Sequence, residues 1–384
     1  MRIQIGDNVS LYKSGVLPRL QHPRRTPNKR HMATDAVTPR PSSVTPGSSA
    51  RPDLLARWLF IVASMIVGIV LVGGITRLTE SGLSITQWQP ITGTLPPLTE
   101  AQWQAEFAEY RATPEYMFEA GPAGMTLADF KFIFFWEWFH RFIGRMIGLV
   151  FALPLAYFWV RKMIPSGYKL RLVALLALGG LQGAFGWFMV RSGLSGQMTD
   201  VSHFWLSIHL LTALFTLGGL VWTALDLRRL AQMKDARPAR LTGLALVAAA
   251  VLFVQLLLGA WVAGLNAGHA SDTWPLMQNR IIPEYHAGEG LFRAVTHDPY
   301  LLHFLHRWWA WVAFIGILLF ARHVKKLSRR PSATLNALLG AQMVLGIATV
   351  MTGVALWIAV AHQLVGALLV AAFAWAAHVS GRTA

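Results

Sequence analysis

Residues 57–76 read Arg-Trp-Leu-Phe-Ile-Val-Ala-Ser-Met-Ile-Val-Gly-Ile-Val-Leu-Val-Gly-Gly-Ile-Thr. After Arg57 the run carries no charge, and as a helix it is long enough to cross about 30 Å of hydrocarbon. Comparable runs recur at 138–160, 170–190, 203–225, 241–263, 300–321, 333–354 and 357–379, which makes eight spans. The whole chain agrees: of 384 residues 54% are hydrophobic and 14% charged, with a mean hydropathy of +0.44. Soluble proteins carry about 25% charge, so the composition argues against a cytosolic enzyme. The absence of Cys excludes a disulfide scaffold, a thiol nucleophile, a thiolate metal site and a cysteine-held iron–sulfur cluster.

The formal charge of +16 invites a nucleic-acid partner, but its placement argues against one. Ten Lys/Arg and three Asp/Glu lie in residues 1–57, and most of the other basic residues crowd short loops. Arg161, Lys162, Lys169 and Arg171 flank the second connection. Arg228, Arg229, Lys234, Arg237 and Arg240 occupy the fourth, and Arg322, Lys325, Lys326, Arg329 and Arg330 the sixth. The first connection, 77–134, is long and acidic, with Glu80, Glu100, Glu106, Glu109, Glu115, Glu119 and Asp129; the fifth, 264–299, is long and mixed. Basic loops mark the cytoplasmic side. Both termini are therefore expected inside, in a multi-pass protein of the bacterial inner membrane, with the two long loops outside. Residues 1–56, rich in Pro, Ser, Thr and Arg, read as a disordered cytoplasmic tail. Pro23–Arg40 shows no amphipathic pattern that would make the tail a transit peptide, and Met32 would serve equally well as a start.

The chain reads twice. Val72-Gly-Gly-Ile-Thr matches Val262-Ala-Gly-Leu-Asn; Trp88 and Pro90 match Trp274-Pro275; His140-Arg141 matches His306-Arg307. Leu181-Gln-Gly-Ala-Phe-Gly-Trp-Phe-Met-Val matches Ala341-Gln-Met-Val-Leu-Gly-Ile-Ala-Thr-Val, and His209-Leu-Leu-Thr-Ala-Leu matches His362-Gln-Leu-Val-Gly-Ala-Leu. Four helices return the chain to the same side, so the repeats are parallel. The expected fold is an all-α integral membrane protein whose eight transmembrane helices form two pseudo-symmetric parallel four-helix bundles, 57–230 and 231–384.

Of the 13 His, His22, His31, His269, His286, His297 and His323 lie in loops, tails or helix ends and read as solvated. His203 should point to a different face from His209, and His378 has no partner in the other half. His140, His209, His306 and His362 each follow closely on the entry of a helix from outside, at matching places in the repeat. Polar residues inside a membrane are costly and by default functional. Two imidazoles facing across a bundle, with no Cys and no carboxylate in both bundles, suit the axial positions of a haem iron better than a zinc or copper site. Arg141, Arg145 and Arg307 are placed to pair with haem propionates or to snorkel towards headgroups. Glu137 lies three residues before His140, where the second half has His303, and should share the His140 face. A carboxylate beside a porphyrin can act as a base or stabilise positive charge; otherwise Glu137 is a cap or a partner of Arg141.

Gly73-Gly-Ile-Thr-Arg-Leu-Thr-Glu-Ser-Gly-Leu-Ser, the loop Trp88-Gln-Pro-Ile-Thr-Gly-Thr-Leu-Pro-Pro, Glu137-Trp-Phe-His-Arg-Phe-Ile-Gly-Arg and Gln182-Gly-Ala-Phe-Gly-Trp-Phe-Met-Val, together with His306-Arg and His362-Gln, give the chain its family likeness. Over about residues 55–380 it resembles the haem A synthase family in its alphaproteobacterial and mitochondrial form. The resemblance implies an eight-helix oxidoreductase that converts the C8 methyl of haem O to a formyl group by successive hydroxylations, making haem A for cytochrome c oxidase. It implies that His306 and His362 ligate a resident haem b, that His140 and His209 hold the substrate haem, and that Glu137 is catalytic. A haem O synthase and cytochrome oxidase assembly factors are the implied protein partners, within membrane lipid; a homo-oligomer is compatible and no nucleic acid is expected. The loop cysteines of some members are absent here. Two other readings stay open: a non-catalytic di-haem cytochrome b that relays electrons, and a transporter built on a parallel repeat.

Overall fold

A computed structural model describes residues 49–382 apart from 90, 197, 286, 287 and 289. The expected tail therefore lies, up to residue 48, outside the described residues, as do His22, His31, Pro90 and His286. The described residues contain no β-strand. Their helices are α1 (Pro52–Leu78), α2 (Glu100–Tyr110), α3 (Leu127–Val160), α4 (Lys169–Gly193), α5 (His203–Gln232), α6 (Gly243–Gly264), α7 (Leu291–His297), α8 (Pro299–Lys325), α9 (Arg329–Met351) and α10 (Leu356–Gly381). Eight of these, all but α2 and α7, are long and apolar enough to cross a membrane, one for each expected span.

The ends of the helices follow local chemistry. The first long loop is shorter than expected because α3 starts at Leu127. Thr126 and Asp129 close a capping box there: the Asp129 carboxylate accepts from the Thr126 amide at 2.9 Å and its hydroxyl at 2.7 Å, and the Thr126 hydroxyl accepts from the Asp129 amide at 3.3 Å. Two otherwise orphaned donors are satisfied in this way. Pro at the first turn begins α1 and α8, where no amide hydrogen is needed. α3 continues through Pro154.

Among the first four spans, α1 packs on α3 and α5, and α4 on α3 and α5. Among the last four, α8 packs on α6 and α9, and α9 on α10. α3 and α5 thus stand across from each other in their group, whereas α8 and α10 also touch directly, with the rings of Phe320 and Phe373 5.2 Å apart. α5 and α10 pack on each other, α6 lies against α5 and α1 against α10. Apolar side chains such as Phe215, Leu153 and Val247, 70%, 65% and 63% exposed, cover the outside of the spans, which is stable only in lipid.

Polar ties join the two groups of spans at both ends. At one end, Arg77 at the end of α1 donates to the carbonyl of Ala263 at 3.1 Å and to Asn266 Oδ1 at 2.9 Å, and pairs with Asp200 at 3.3 Å. Near the opposite end, the buried Asp226 of α5 accepts from Arg171 at 2.6 Å and from the Ala239 amide at 2.9 Å, and pairs with His378 Nε2 at 2.9 Å. His378, which has no counterpart in the repeat, is thereby tied to a helix of the first group. A carboxylate buried to this degree requires such a set of donors.

Candidate functional site

The four singled-out histidines share one local arrangement. Each half-buried imidazole lies against a glycine of the neighbouring helix: His140 of α3 against Gly73 of α1, His209 of α5 against Gly186 of α4, His306 of α8 against Gly259 of α6, and His362 of α10 against Gly346 of α9. A Cβ on these glycines would stand 3.1, 3.3, 2.9 and 3.0 Å from the nearest ring atom. The rings therefore occupy the space a side chain would fill, and only glycine permits the approach. His140 is within electrostatic range of His209, and His306 of His362. The fold thus brings together the two pairs expected from the repeat, one on α3 and α5 and the other on α8 and α10.

The donor set suits a planar iron porphyrin. Two imidazoles in each group of spans form a donor set that would hold the iron of a porphyrin, and the glycine of each cradle leaves its imidazole room. His209 and His362 each carry a buried Nδ1 with no hydrogen-bond partner, an arrangement that is costly unless a ligand or a turned ring satisfies it. Gln182, Gln255 and Gln342 join the site, and sequence reasoning did not identify them as such. Gln182 Nε2 donates to the His209 carbonyl at 3.0 Å, Gln255 Nε2 lies 3.2 Å from His306 Nδ1, and Gln342 Nε2 lies 3.3 Å from His362 Nε2. The signal that could have found them is Gln followed four residues later by Gly, at 182/186, 255/259 and 342/346.

The arginines after the histidines clasp the two long loops. Arg141 donates to the carbonyls of Ile85 at 2.9 Å and Gln87 at 3.3 Å. Arg307 donates to those of Ser271 at 3.0 Å and Thr273 at 2.8 Å. In both loops these carbonyls stand three and one residues before the tryptophan, Trp88 or Trp274. Arg145 donates to the Gln89 carbonyl at 2.9 Å. The clasps differ at one partner. Arg141 pairs with the carboxylate of Glu137, whereas Arg307 Nε donates to the neutral ring of His303 at 3.0 Å. Glu137 is buried and its Oε2 accepts from the Ser84 hydroxyl and the Ile85 amide, each at 2.7 Å. Its carboxylate is thus held between its own helix and the loop.

The remaining histidines divide in a way that sequence position did not reveal. His269 and His323 are exposed, as expected. His297 is half-buried rather than solvated: its ring centroid lies 5.0 Å from that of His203 and its Nδ1 is 2.8 Å from the Thr296 hydroxyl. His203 is buried against Gly264 and Trp261 of α6, on a face away from His209.

Above the first site, α2 and the loop after it pack Phe107 and Tyr110 on Phe130 and Phe134 of α3. Glu115 is buried in this cap. Burial first, and then the charges of Glu137, Glu80, Asp200 and Glu119, push its carboxyl up to about 8. An acid whose value is raised by folding contributes most stability below its unfolded value of about 4.5 and loses it as pH climbs to the folded value. Hydrogen-exchange protection of residues 100–120 should therefore decline between about pH 4.5 and 8 and then level off, and Glu115→Gln should remove the decline. The cradles make a second test. Gly259→Ala and Gly346→Ala, which force a Cβ onto an imidazole, should each cost about 1–3 kcal/mol in thermal unfolding; Gly148→Ala, which meets open space, should be neutral or slightly stabilising.

Residues 56–374 match the family described as cytochrome oxidase assembly protein, COX15-CtaA. The chain is 63% identical to the heme A synthase of Erythrobacter litoralis over 327 residues, which is 85% of this chain and 97% of that protein. It is 57% identical to the heme A synthase of Novosphingobium aromaticivorans over 88% of this chain and 99% of that one. With the heme A synthase of Sphingopyxis alaskensis it shares 55% identity, over 91% and 97%. Matches of this extent span all eight apolar helices and all four histidine cradles, and the chain belongs to the COX15-CtaA family of cytochrome oxidase assembly proteins, the haem A synthases.

Proposed function

We propose that this protein is a haem A synthase, a multi-pass membrane oxidoreductase that takes haem O and oxidises its C8 methyl to the formyl group of haem A. The observation that carries this reading is the imidazole set against glycine four times at matching places of an internal repeat, within a chain closely similar to heme A synthases. The bundles divide at about residue 230. In the second, His306 and His362 hold a resident haem b, which supplies one-electron redox chemistry when bound. In the first, His140 and His209 hold the substrate. The basic loops put both termini in the cytoplasm of a bacterium and the arginine clasps at the outer face of its inner membrane.

The protein's own residues divide the work as follows. The two imidazoles of the first bundle fix the substrate ring in the plane between α3 and α5. Arg141 and Arg145 present cationic edges to its propionates while pinning the loop above it, and Arg307 does the same over the second bundle. Glu137 is the one carboxylate beside the first site with no counterpart in the second. Converting a methyl to a formyl group needs an oxygen source and an acceptor for four electrons, both from outside this chain; it also breaks C–H bonds whose protons need an acceptor, and Glu137 is placed to be one. Taking up a proton weakens its hold on Arg141 and the Ser84–Ile85 segment, which couples the chemistry to the loop. The apolar farnesyl tail of haem O would lie among the apolar spans that carry the site.

Extraction and mass identification of the haems in detergent-purified protein tests the reading. Haem b together with haem O, haem A or the hydroxylated intermediate is expected. Two equivalents of haem b alone would favour an electron-relaying cytochrome, and protein without a Soret band would favour a transporter. Glu137→Gln and Glu137→Ala should abolish haem A formation, by more than about 100-fold for a lost proton acceptor, with the haem b spectrum retained. Loss of all haem in these variants would make Glu137 a structural residue.

A further inference from the structure

Three of the four histidines stand beside the same two residues of the neighbouring helix, a glutamine and, four positions later, the cradle glycine. The pairs are Gln182 and Gly186 for His209, Gln255 and Gly259 for His306, and Gln342 and Gly346 for His362. One helical turn separates the two members, so both address one imidazole-bearing turn: the glycine admits the ring, and the amide holds the ring of His306 and of His362 and the main-chain carbonyl of His209. For His140 the glycine is Gly73, and the residue four positions earlier is Ile69. An alkyl side chain offers no hydrogen bond. Ile69 instead fills space beside α3, its Cδ1 standing 3.6 Å from where a Cβ on Gly144 would be.

A second observation sets the same ring apart. Gly186, Gly259 and Gly346 face the Cε1 edge of their imidazoles, whereas Gly73 faces the Nε2–Cδ2 edge of His140, with hypothetical Cβ distances of 3.1 Å to Nε2 and 3.3 Å to Cδ2. His140 thus presents Nε2 to α1, in an orientation none of the other three adopts. Partners outside the ligand shell normally fix the orientation of a metal-binding imidazole, and removing one typically costs 10- to 100-fold in affinity.

We propose that Ile69 is a positioning residue that leaves His140 free to turn, making it the exchangeable member of the four and the first bundle the one that admits and releases a haem. The inference rests on reading the four histidines as iron ligands. It explains why one of two similar bundles turns over its haem while the other retains it: the difference is one amide on the helix next to the ligand, in addition to Glu137. His209 keeps an amide on its main-chain carbonyl, which holds its turn of α5 in place while His140 lets go.

The test uses full-length protein in detergent, loaded with haem O and mixed with excess apomyoglobin as acceptor, with release followed in the Soret band and low-spin iron counted by electron paramagnetic resonance. Ile69→Gln should slow haem O release by about tenfold or more and raise the low-spin fraction. Ile69→Met, which fills similar volume without a strong hydrogen-bonding group, should match the wild type. Equal release from all three proteins overturns the inference alone. Wild-type protein that takes up no haem O overturns the ligand reading and this inference with it. Should Ile69→Gln not fold, the reciprocal Gln255→Ile decides the matter: haem b lost about tenfold faster from the second bundle supports the proposal, and an unchanged rate overturns it.

Discussion

The close approach of an imidazole to a glycine on the next helix is the contact around which this protein is arranged. It recurs at Gly73, Gly186, Gly259 and Gly346, and each time it does two things. It lets two helices come near without a side chain between them, and it seats a polar ring inside a span that lipid surrounds. Dispersion and close packing hold helices together in a membrane, because lipid removes most of the hydrophobic drive between them. A glycine opposite a large ring is a favourable way to gain that packing while a functional group stays in the interior. The helix order follows from it, since α1 must lie on α3, α4 on α5, α6 on α8 and α9 on α10.

Around the cradles the two halves share their main parts and differ in a few atoms. Both fasten a long loop through an arginine that grips the carbonyls three and one residues before a tryptophan. In one the arginine leans on the carboxylate of Glu137, in the other on the ring of His303. Three cradles carry a glutamine and one carries Ile69. An ionic clasp beside an unanchored imidazole suits a site that opens and changes protonation; a neutral clasp beside anchored imidazoles suits one that does not. Each distinction changes little volume, so it leaves the packing of the spans alone while altering electrostatics and ring freedom locally.

The buried polar groups away from the cradles hold the two groups of spans together. Asp226 draws on Arg171, His378 and the Ala239 amide near one end of the spans, and Arg77 bridges to Ala263, Asn266 and Asp200 near the other. Hydrogen bonds at the two ends of apolar helices set their register where shape alone allows sliding. His378, which has no place in the repeat, gains its role from its contact with Asp226.

Much was legible in the residues themselves. Membrane spans are determined by the local cost of burying charge, so Arg57–Thr76 and its seven counterparts identify themselves. The repeat and the four histidines were readable for the same reason, since an imidazole within an apolar run is an exception that composition exposes. Other features required the tertiary structure. That Glu137 reaches Ser84 and Ile85 as well as Arg141, that Arg141 and Arg307 hold loop carbonyls, that Glu115 is buried beside other acids, and that Gly73 meets the other edge of its imidazole all depend on groups from distant parts of the chain. Hydropathy and helical period describe one segment at a time, whereas a hydrogen bond or a close approach belongs to two, and only the packed helices decide which two meet.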